Sequence, residues 1–346
     1  MNKTQPTRRR LILFWAIAMG LAFFLLFCGA EILLRIALQR RFTAETDAPL
    51  VRSSMPELGY QLAPNWKGSA ETDPRGLRAR PADAEEPRHR VLLIGDSVTF
   101  GSGVKYEQSY GPILEKLLSR GLGKPVAVWN GGVPGYNATQ EAAALRRAGP
   151  LVKPDLVVAQ ICMNDYMEAP VLTAGGTLDA THTEGGGGFS LLQFLYRSRV
   201  FVLLKEKLKD RQKQYPERFP KWLHYIPHLR DKPGWIKVRQ SLLQMRREAA
   251  ELDTRLLVVV FPVEEQLRIP DHTVQDDLRE FAKQNDIELL DLYDTFRAHW
   301  REDLYVDYWE QAHQIDKLHP NARGHELAAK TISSAILSRL PPYFTP

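Results

Sequence analysis

Ser97, Asp316 and His319 are the residues whose types and spacing have chemistry to offer. In "VLLIGDSVTFGSGV" (91–104) four apolar residues run straight into Gly95, Asp96 and Ser97, and Gly101 and Gly103 follow. A hydroxyl at the tip of a buried strand is a nucleophile held out to substrate, although a plain turn draws on the same residue types. Near the C-terminus "DKLHPN" sets Asp316 three residues before His319, and Pro320 and Asn321 then open a helix. A tight turn at that spacing brings the carboxylate to one imidazole nitrogen and leaves the other for a hydroxyl. His319 would then take the Ser97 proton, with Asp316 fixing its tautomer and stabilising the imidazolium. A surface pair or helix cap accounts for Asp-x-x-His equally simply.

Two more segments supply hydrogen-bond donors. "NGGVPGYN" (130–137) holds Gly135, where the missing side chain lets a backbone N–H approach a substrate oxygen. "CMNDY" (162–166) holds Asn164, whose amide can donate to the same oxygen. With the Ser97 N–H they make a three-donor oxyanion hole. A turn glycine and an Asx-turn asparagine are the structural alternatives. The set is not the G-x-S-x-G elbow, because Thr99 stands where the second glycine belongs.

These residues need a scaffold that brings strand ends together. Besides the run from Val91, "VAVWN" (126–130), "DLVVAQI" (155–161) and "LLVVVF" (256–261) lack polar alternation, as strands buried on both faces of a parallel sheet do. "IELLDL" (287–292) is a weaker fifth. Ile113, Leu114, Leu117 and Leu118 form one helical stripe, and Leu327, Ala328, Ile332, Ile336 and Leu340 another. Alternating strand and helix predicts an α/β fold with right-handed crossovers. Reactive groups in such folds gather beyond the carboxyl ends of the strands, where Ser97 falls.

The N-terminus has a separate character. Basic residues 1–10 precede "LILFWAIAMGLAFFLLFCGA" (11–30), twenty residues without a charge, about the length that crosses a bilayer. This exceeds the usual core of a cleaved signal peptide, and bulky Phe27 before Cys28 does not fit a lipoprotein cleavage site. An uncleaved anchor is expected, with the positive-inside bias keeping residues 1–10 in the cytoplasm and the body outside it. Residues 31–90 are expected to be a tether and lead-in, and 91–346 the main domain with an insertion at about 166–250.

Cys28 and Cys162 are the two cysteines, so the body has no internal disulfide framework. Neither C-x-x-C nor H-E-x-x-H spacing occurs, and no metal, cofactor or nucleic acid is expected. Residues 197–247 carry fifteen Lys and Arg against four Asp and Glu. This excess is suited to anionic lipid or an acidic polysaccharide, and equally to a solvated helical face.

As a set, Gly95-Asp96-Ser97, Gly135, Asn164-Asp165 and Asp316-x-x-His319 resemble the four blocks of the SGNH, or GDSL, hydrolase superfamily over roughly residues 91–340. The resemblance implies a flavodoxin-like three-layer sandwich around a parallel sheet. It also implies Ser97 as nucleophile, Asp316 and His319 completing the triad, and Ser97, Gly135 and Asn164 as oxyanion donors, with Gly95, Asp96 and Asp165 in support. Val98 replaces the family's usual Leu, and Cys162 stands where the third block usually has Gly. The lead-in "ELGYQLAPN" with "DPRGLRA" is similar to that of membrane-tethered bacterial members, several of which handle acyl groups on cell-surface polysaccharides. The expected function is an esterase removing a small acyl group, such as an O-acetyl of a carbohydrate. The alternatives are an O-acyltransferase with the same machinery and a non-catalytic polysaccharide- or lipid-binding module.

Overall fold

The computed structural model describes residues 8–39, 49–68, 70–78, 89–173, 178–179, 198, 200, 204, 233–268, 272–306, 318–339 and 344. The chain divides into two compact units. One comprises residues 1–43, 189–224 and 307–315, and the other 44–188, 225–306 and 316–346.

The first unit contains α1, Arg8–Gln39. Phe14–Leu34 is long and apolar enough to cross a membrane, and Phe14, Trp15, Phe23 and Phe24 stand exposed along it. An apolar helix with no protein packed on those side chains is stable in lipid, where its backbone is satisfied internally. At its far end the Glu31 carboxylate accepts the Ser198 hydroxyl at 3.0 Å and the Val200 N–H at 3.1 Å. Of the basic stretch 197–247, all but Ser198, Val200, Leu204 and 233–247 lies outside the described residues.

The second unit opens with an antiparallel pair, β1 (Leu50–Arg52) and β2 (Tyr60–Leu62). The main sheet follows as β3 (His89–Ile94), β4 (Val126–Asn130), β5 (Leu156–Ile161), β8 (Arg255–Val260) and β9 (Glu288–Asp291). A short antiparallel pair, β6 (Val171–Leu172) and β7 (Leu178–Asp179), lies between β5 and β8 in sequence. The main strands are parallel in the order β4-β3-β5-β8-β9. The chain steps from β3 to one side and then crosses to the other. The carboxyl end of β3 is therefore the topological switch point, where α/β sheets open a crevice.

Among the described residues the α-helices of this unit are α2 (Ser97–Phe100), α3 (Tyr110–Leu122), α4 (Ala138–Val152), α5 (Pro233–Glu251), α6 (Glu264–Arg268), α7 (Thr273–Gln284), α8 (Tyr293–Ala298) and α9 (Ala322–Ser338). Alternate residues of each strand face opposite layers. Leu92, Ala127, Val157 and Val258 join α4, α5 and α7 in one core. Val91, Val128, Val158 and Val259 join α3, α8 and α9 in the other. Since both faces are covered, the middles of the inner strands are almost wholly apolar, and each Val or Leu so buried contributes about 1.5–3 kcal/mol.

Two stretches depart from the sequence reading. Residues 49–78, expected to be tether and lead-in, are built into the body. Leu58, Tyr60 and Leu62 are buried, the Tyr60 hydroxyl donates to the Pro134 carbonyl at 3.0 Å, and the Gln140 amide donates to the Leu58 carbonyl at 2.7 Å. Strands this short show no period, so only their burial reveals them. Residues 233–251, expected to close the insertion, form α5, whose Trp235, Val238, Leu242 and Met245 pack on the sheet. Its arginines masked that apolar stripe.

Candidate active site

β3 delivers the first group. It ends at Ile94, and a Cβ on Gly95 would collide with the Thr99 hydroxyl and the Gln160 side-chain oxygen, so only glycine fits. Asp96 caps α2, its Oδ1 accepting the Val98 N–H at 2.8 Å. Ser97 is thereby the first residue of the helix. The second group comes from the loop before α9. Asn321 caps that helix by accepting the Arg323 and Gly324 N–H groups at 3.0 and 3.1 Å. The Asn321 amide donates to the Asp303 and Tyr305 carbonyls at 2.9 and 3.1 Å, and Val306 N–H donates to the His319 carbonyl at 2.9 Å. His319 is thus clamped on its own backbone.

His319 Nε2 lies 2.7 Å from Ser97 Oγ, with both side chains buried. The hydroxyl also stands 3.4 Å from Asp96 Oδ2. It has one proton, and the shorter contact takes it. An imidazole nitrogen at this distance can accept that proton while the oxygen attacks a carbonyl carbon. Asp316 lies outside the described residues.

Asn164 occupies the turn after β5. Asp165 ties that turn, its Oδ2 accepting the Cys162 N–H at 2.6 Å. The Asn164 amide donates to Asp96 Oδ2 at 2.8 Å, which leaves its second N–H for another acceptor. The buried Cys162 thiol donates to Asn164 Oδ1, and this decides which end of the amide faces Asp96. Gly135 has φ +80°, and a Cβ there would lie 2.8 Å from the Tyr60 hydroxyl and 2.9 Å from Pro170. Its loop is tied to the loop carrying Ser97 by Val133 N–H donating to the Gly95 carbonyl at 3.1 Å.

The sequence reading missed several groups packed around these residues. Gln160 is a buried polar residue in an apolar strand, and its oxygen accepts Asp96 N–H at 3.2 Å and the Thr99 hydroxyl at 2.8 Å. Its polarity within "LVVAQI" was the available signal. His325 is buried against Tyr110, and burial, with His319 and Arg78 adding to it, pushes its pKa down to about 3. It therefore stays neutral and does not compete as a base. Nothing in the sequence set it apart from the other histidines.

Glu141 and Asp165 form a buried acidic layer beneath the turn. Burial raises both carboxyls well above the ordinary range near 4, reinforced for Glu141 by Asp165 and Asp96 and for Asp165 by Asp96. The Cys162 thiol is raised for the same reasons. Asp96, Cys162 and Asp165 bring donor atoms within 4.8 Å of one another. Burial opposes the deprotonated forms of Cys162 and Asp165 that a metal ligand needs, and Asp165 is already engaged by the Cys162 N–H.

The acidic layer makes stability depend on pH. With raised carboxyl values the folded state binds more protons than the unfolded chain, so the contribution is complete below about pH 4 and is lost as pH rises through the raised values. Glu141→Gln removes one of these groups. Its melting temperature should fall less steeply with pH than that of the parent and lie above it at pH 8. A slope unchanged from pH 5 to 8 would show that Glu141 does not hold the proton.

Residues 93–327, more than half of the chain, match the GDSL-like lipase/acylhydrolase family. The chain belongs to this family. It is an ester-hydrolysing serine hydrolase of the GDSL type. No curated protein matches the chain. Among solved structures it is similar to an alpha/beta hydrolase enzyme from the metagenome of Lake Arreo, Spain, at 16% identity, covering 72% of this chain and 96% of that one, with TM-score 0.43. A catalytic mutant of an acetylxylan esterase from Geobacillus stearothermophilus is 16% identical, with 75% and 98% covered and TM-score 0.42. The lipase/acylhydrolase from Enterococcus faecalis is 17% identical, with 74% and 100% covered and TM-score 0.39. Neither substrate nor residue role follows from likenesses of this size. Within the GDSL frame, Val98 is buried in the core beside β3, and Cys162 holds the Asn164 amide by its thiol.

Proposed function

We propose that this chain is a membrane-anchored GDSL esterase that cleaves a small acyl ester, such as an O-acetyl group on a cell-surface carbohydrate, through an acyl-Ser97 intermediate. His319 takes the Ser97 proton as Oγ attacks, then returns it to the leaving alcohol oxygen. A water molecule, deprotonated by the same imidazole, then releases the acid. Asp316 holds the His319 tautomer. The oxyanion is met by the N–H groups of Ser97 and Gly135 and by the second N–H of Asn164. The observation that carries this reading is the 2.7 Å contact between His319 Nε2 and Ser97 Oγ, which places a base on the nucleophile's only proton.

The test is an ester panel on the full chain in detergent. Aryl acetate turnover without any sugar present is the expected result. Acetyl appearing on an added glycan, with no free acetate, would replace hydrolysis by O-acyl transfer. No turnover of any acyl ester would overturn the reading.

The apolar span of α1 with Arg8–Arg10 before it supports an anchor whose basic end stays in the cytoplasm of a bacterial cell, and the catalytic body is then periplasmic. Alkaline phosphatase fused after Pro346, which folds only outside the cytoplasm, should be active and membrane-bound. Inactive fusions would reverse the topology, and active fusions released from the membrane would make α1 a cleaved signal.

A further inference from the structure

A cavity of about 630 Å³ lies beside the Gly135 loop, within the second unit. Pockets of roughly 300–1,000 Å³ are those that hold small ligands. Its walls come from the β1–β2 lead-in, the first turn of α4, residues 168–172 and one face of α5. On α5 that face is Lys237, Gln240, Ser241 and Gln244, the i, i+3, i+4, i+7 spacing of a single helical stripe. The opposite stripe, through Trp235, Val238 and Leu242, is buried in the core. After Lys237 the cavity-facing stripe is therefore uncharged and rich in hydrogen-bonding groups, whereas the arginines of α5 are Arg239, Arg246 and Arg247.

The charges around the cavity largely neutralise one another. Glu168 pairs with Lys237 at 3.5 Å, and Glu57 pairs with Arg146 at 2.7 Å. The remaining charged group is Arg52, exposed at the rim. Where α4 meets the α5 stripe, the Ser241 hydroxyl lies 3.5 Å from that of Thr139. Such a long contact is readily exchanged for a ligand hydroxyl. Hydroxyl and amide side chains around a nearly neutral cavity recognise many hydroxyls at once. Much of the rest of the lining, Pro56, Tyr60, Ala169, Pro170, Val171 and Leu172, is apolar. The cavity thus joins hydrogen-bonding groups to apolar surface as the hydroxyls and C–H faces of a sugar require, whereas an acyl chain alone would leave the hydroxyl and amide groups unpaired.

The cavity also adjoins the loop that carries Gly135. Tyr60 and Pro170 line it, and the same two residues are the closest neighbours that a Cβ on Gly135 would meet. Asn137, also on its wall, is two residues beyond Gly135 and so at most ~7 Å away along the chain.

We infer that this cavity is a binding subsite for a neutral polyhydroxylated ligand, the glycan that bears the scissile ester. The inference rests on the esterase reading for the ester, while the binding itself is independent of catalysis. It also gives the lead-in a purpose, since β1–β2 supplies one wall and hydrogen-bonds to the loop carrying Gly135.

The experiment is calorimetric titration of the full chain in detergent with neutral tetrasaccharides (cellotetraose, xylotetraose and N,N′,N″,N‴-tetraacetylchitotetraose), with tetragalacturonate as the anionic control and octanoate as the acyl control. At least one neutral tetrasaccharide should bind, and Gln240→Ala and Thr139→Phe should each weaken that binding about tenfold or more by removing a partner or filling the space. Both variants should melt with the parent, so that the loss is one of binding and not of folding. The result that overturns the subsite is binding of none of the neutral sugars, preference for tetragalacturonate or octanoate, or binding that neither variant alters. Sugar binding without turnover of any ester would leave the subsite standing and remove the esterase reading instead. Should Thr139→Phe fail to fold, Gln240→Ala, at an exposed helix position, decides the matter alone.

Discussion

Ser97→Ala will abolish ester turnover, by about 10⁴-fold or more, and with it any covalent adduct with a fluorophosphonate probe. The change removes one oxygen from the first residue of α2, a position alanine favours. It leaves the cap from Asp96 to Val98 N–H intact. Stability should therefore fall by no more than about 1–3 kcal/mol, the cost of a buried partner left without its hydrogen bond. His319→Ala should lose a similar factor. The double variant should be little worse than either single one, because nucleophile and base form one unit across the 2.7 Å contact. Intact mass after probe treatment and initial rates on an aryl acetate give the answer. Losses that multiply, or a Ser97→Ala chain that still takes up the probe, would move the nucleophile elsewhere.

The second large effect is expected at Asn164. If its free N–H meets the oxyanion, Asn164→Ala should lower kcat by roughly 10²–10³, with a smaller effect on KM. The structure adds a control absent from the sequence. The Cys162 thiol holds Asn164 Oδ1, so Cys162→Ser, which keeps a donor, should preserve kcat better than Cys162→Ala, which loosens the amide. A purely structural turn would respond differently, with Asn164→Ala lowering the melting temperature and leaving kcat within about twofold. That outcome would remove Asn164 from the oxyanion hole and leave Ser97 and Gly135 as its donors.

Much of the fold around the candidate site was legible because its signals are local. The apolar runs at 91–94, 126–130, 156–161 and 256–260 are strands buried on both faces, and no polar alternation was needed to recognise them. Asn321 after "HP" is a cap that marks the start of α9. The residues that escaped notice act at a distance. Glu141 lies within a helix whose sequence looks surface-like, yet that carboxyl is fully buried. Gln140, its neighbour, is occupied with the Leu58 carbonyl 82 positions away, a pairing that no local pattern encodes.

The amino-acid sequence alone was enough to mark the main strands, the last helix and the side chains that stand at their ends. Strand and helix periods, caps and turn glycines depend on neighbours within a few residues, and this placed Ser97 at a strand tip, Gly135 and Asn164 after strands, and His319 before a helix. Tertiary structure decided what those ends do to one another. Ser97 and His319 are 222 positions apart and meet because β3 lies at the switch point of the sheet while α9 packs against α3 beside it. The orientation of Asn164 by Cys162, the raised carboxyls of Glu141 and Asp165, and the use of 49–78 and 233–251 as walls of the body likewise follow from burial. Burial depends on which faces the sheet order brings together, and no short stretch of chain contains that order.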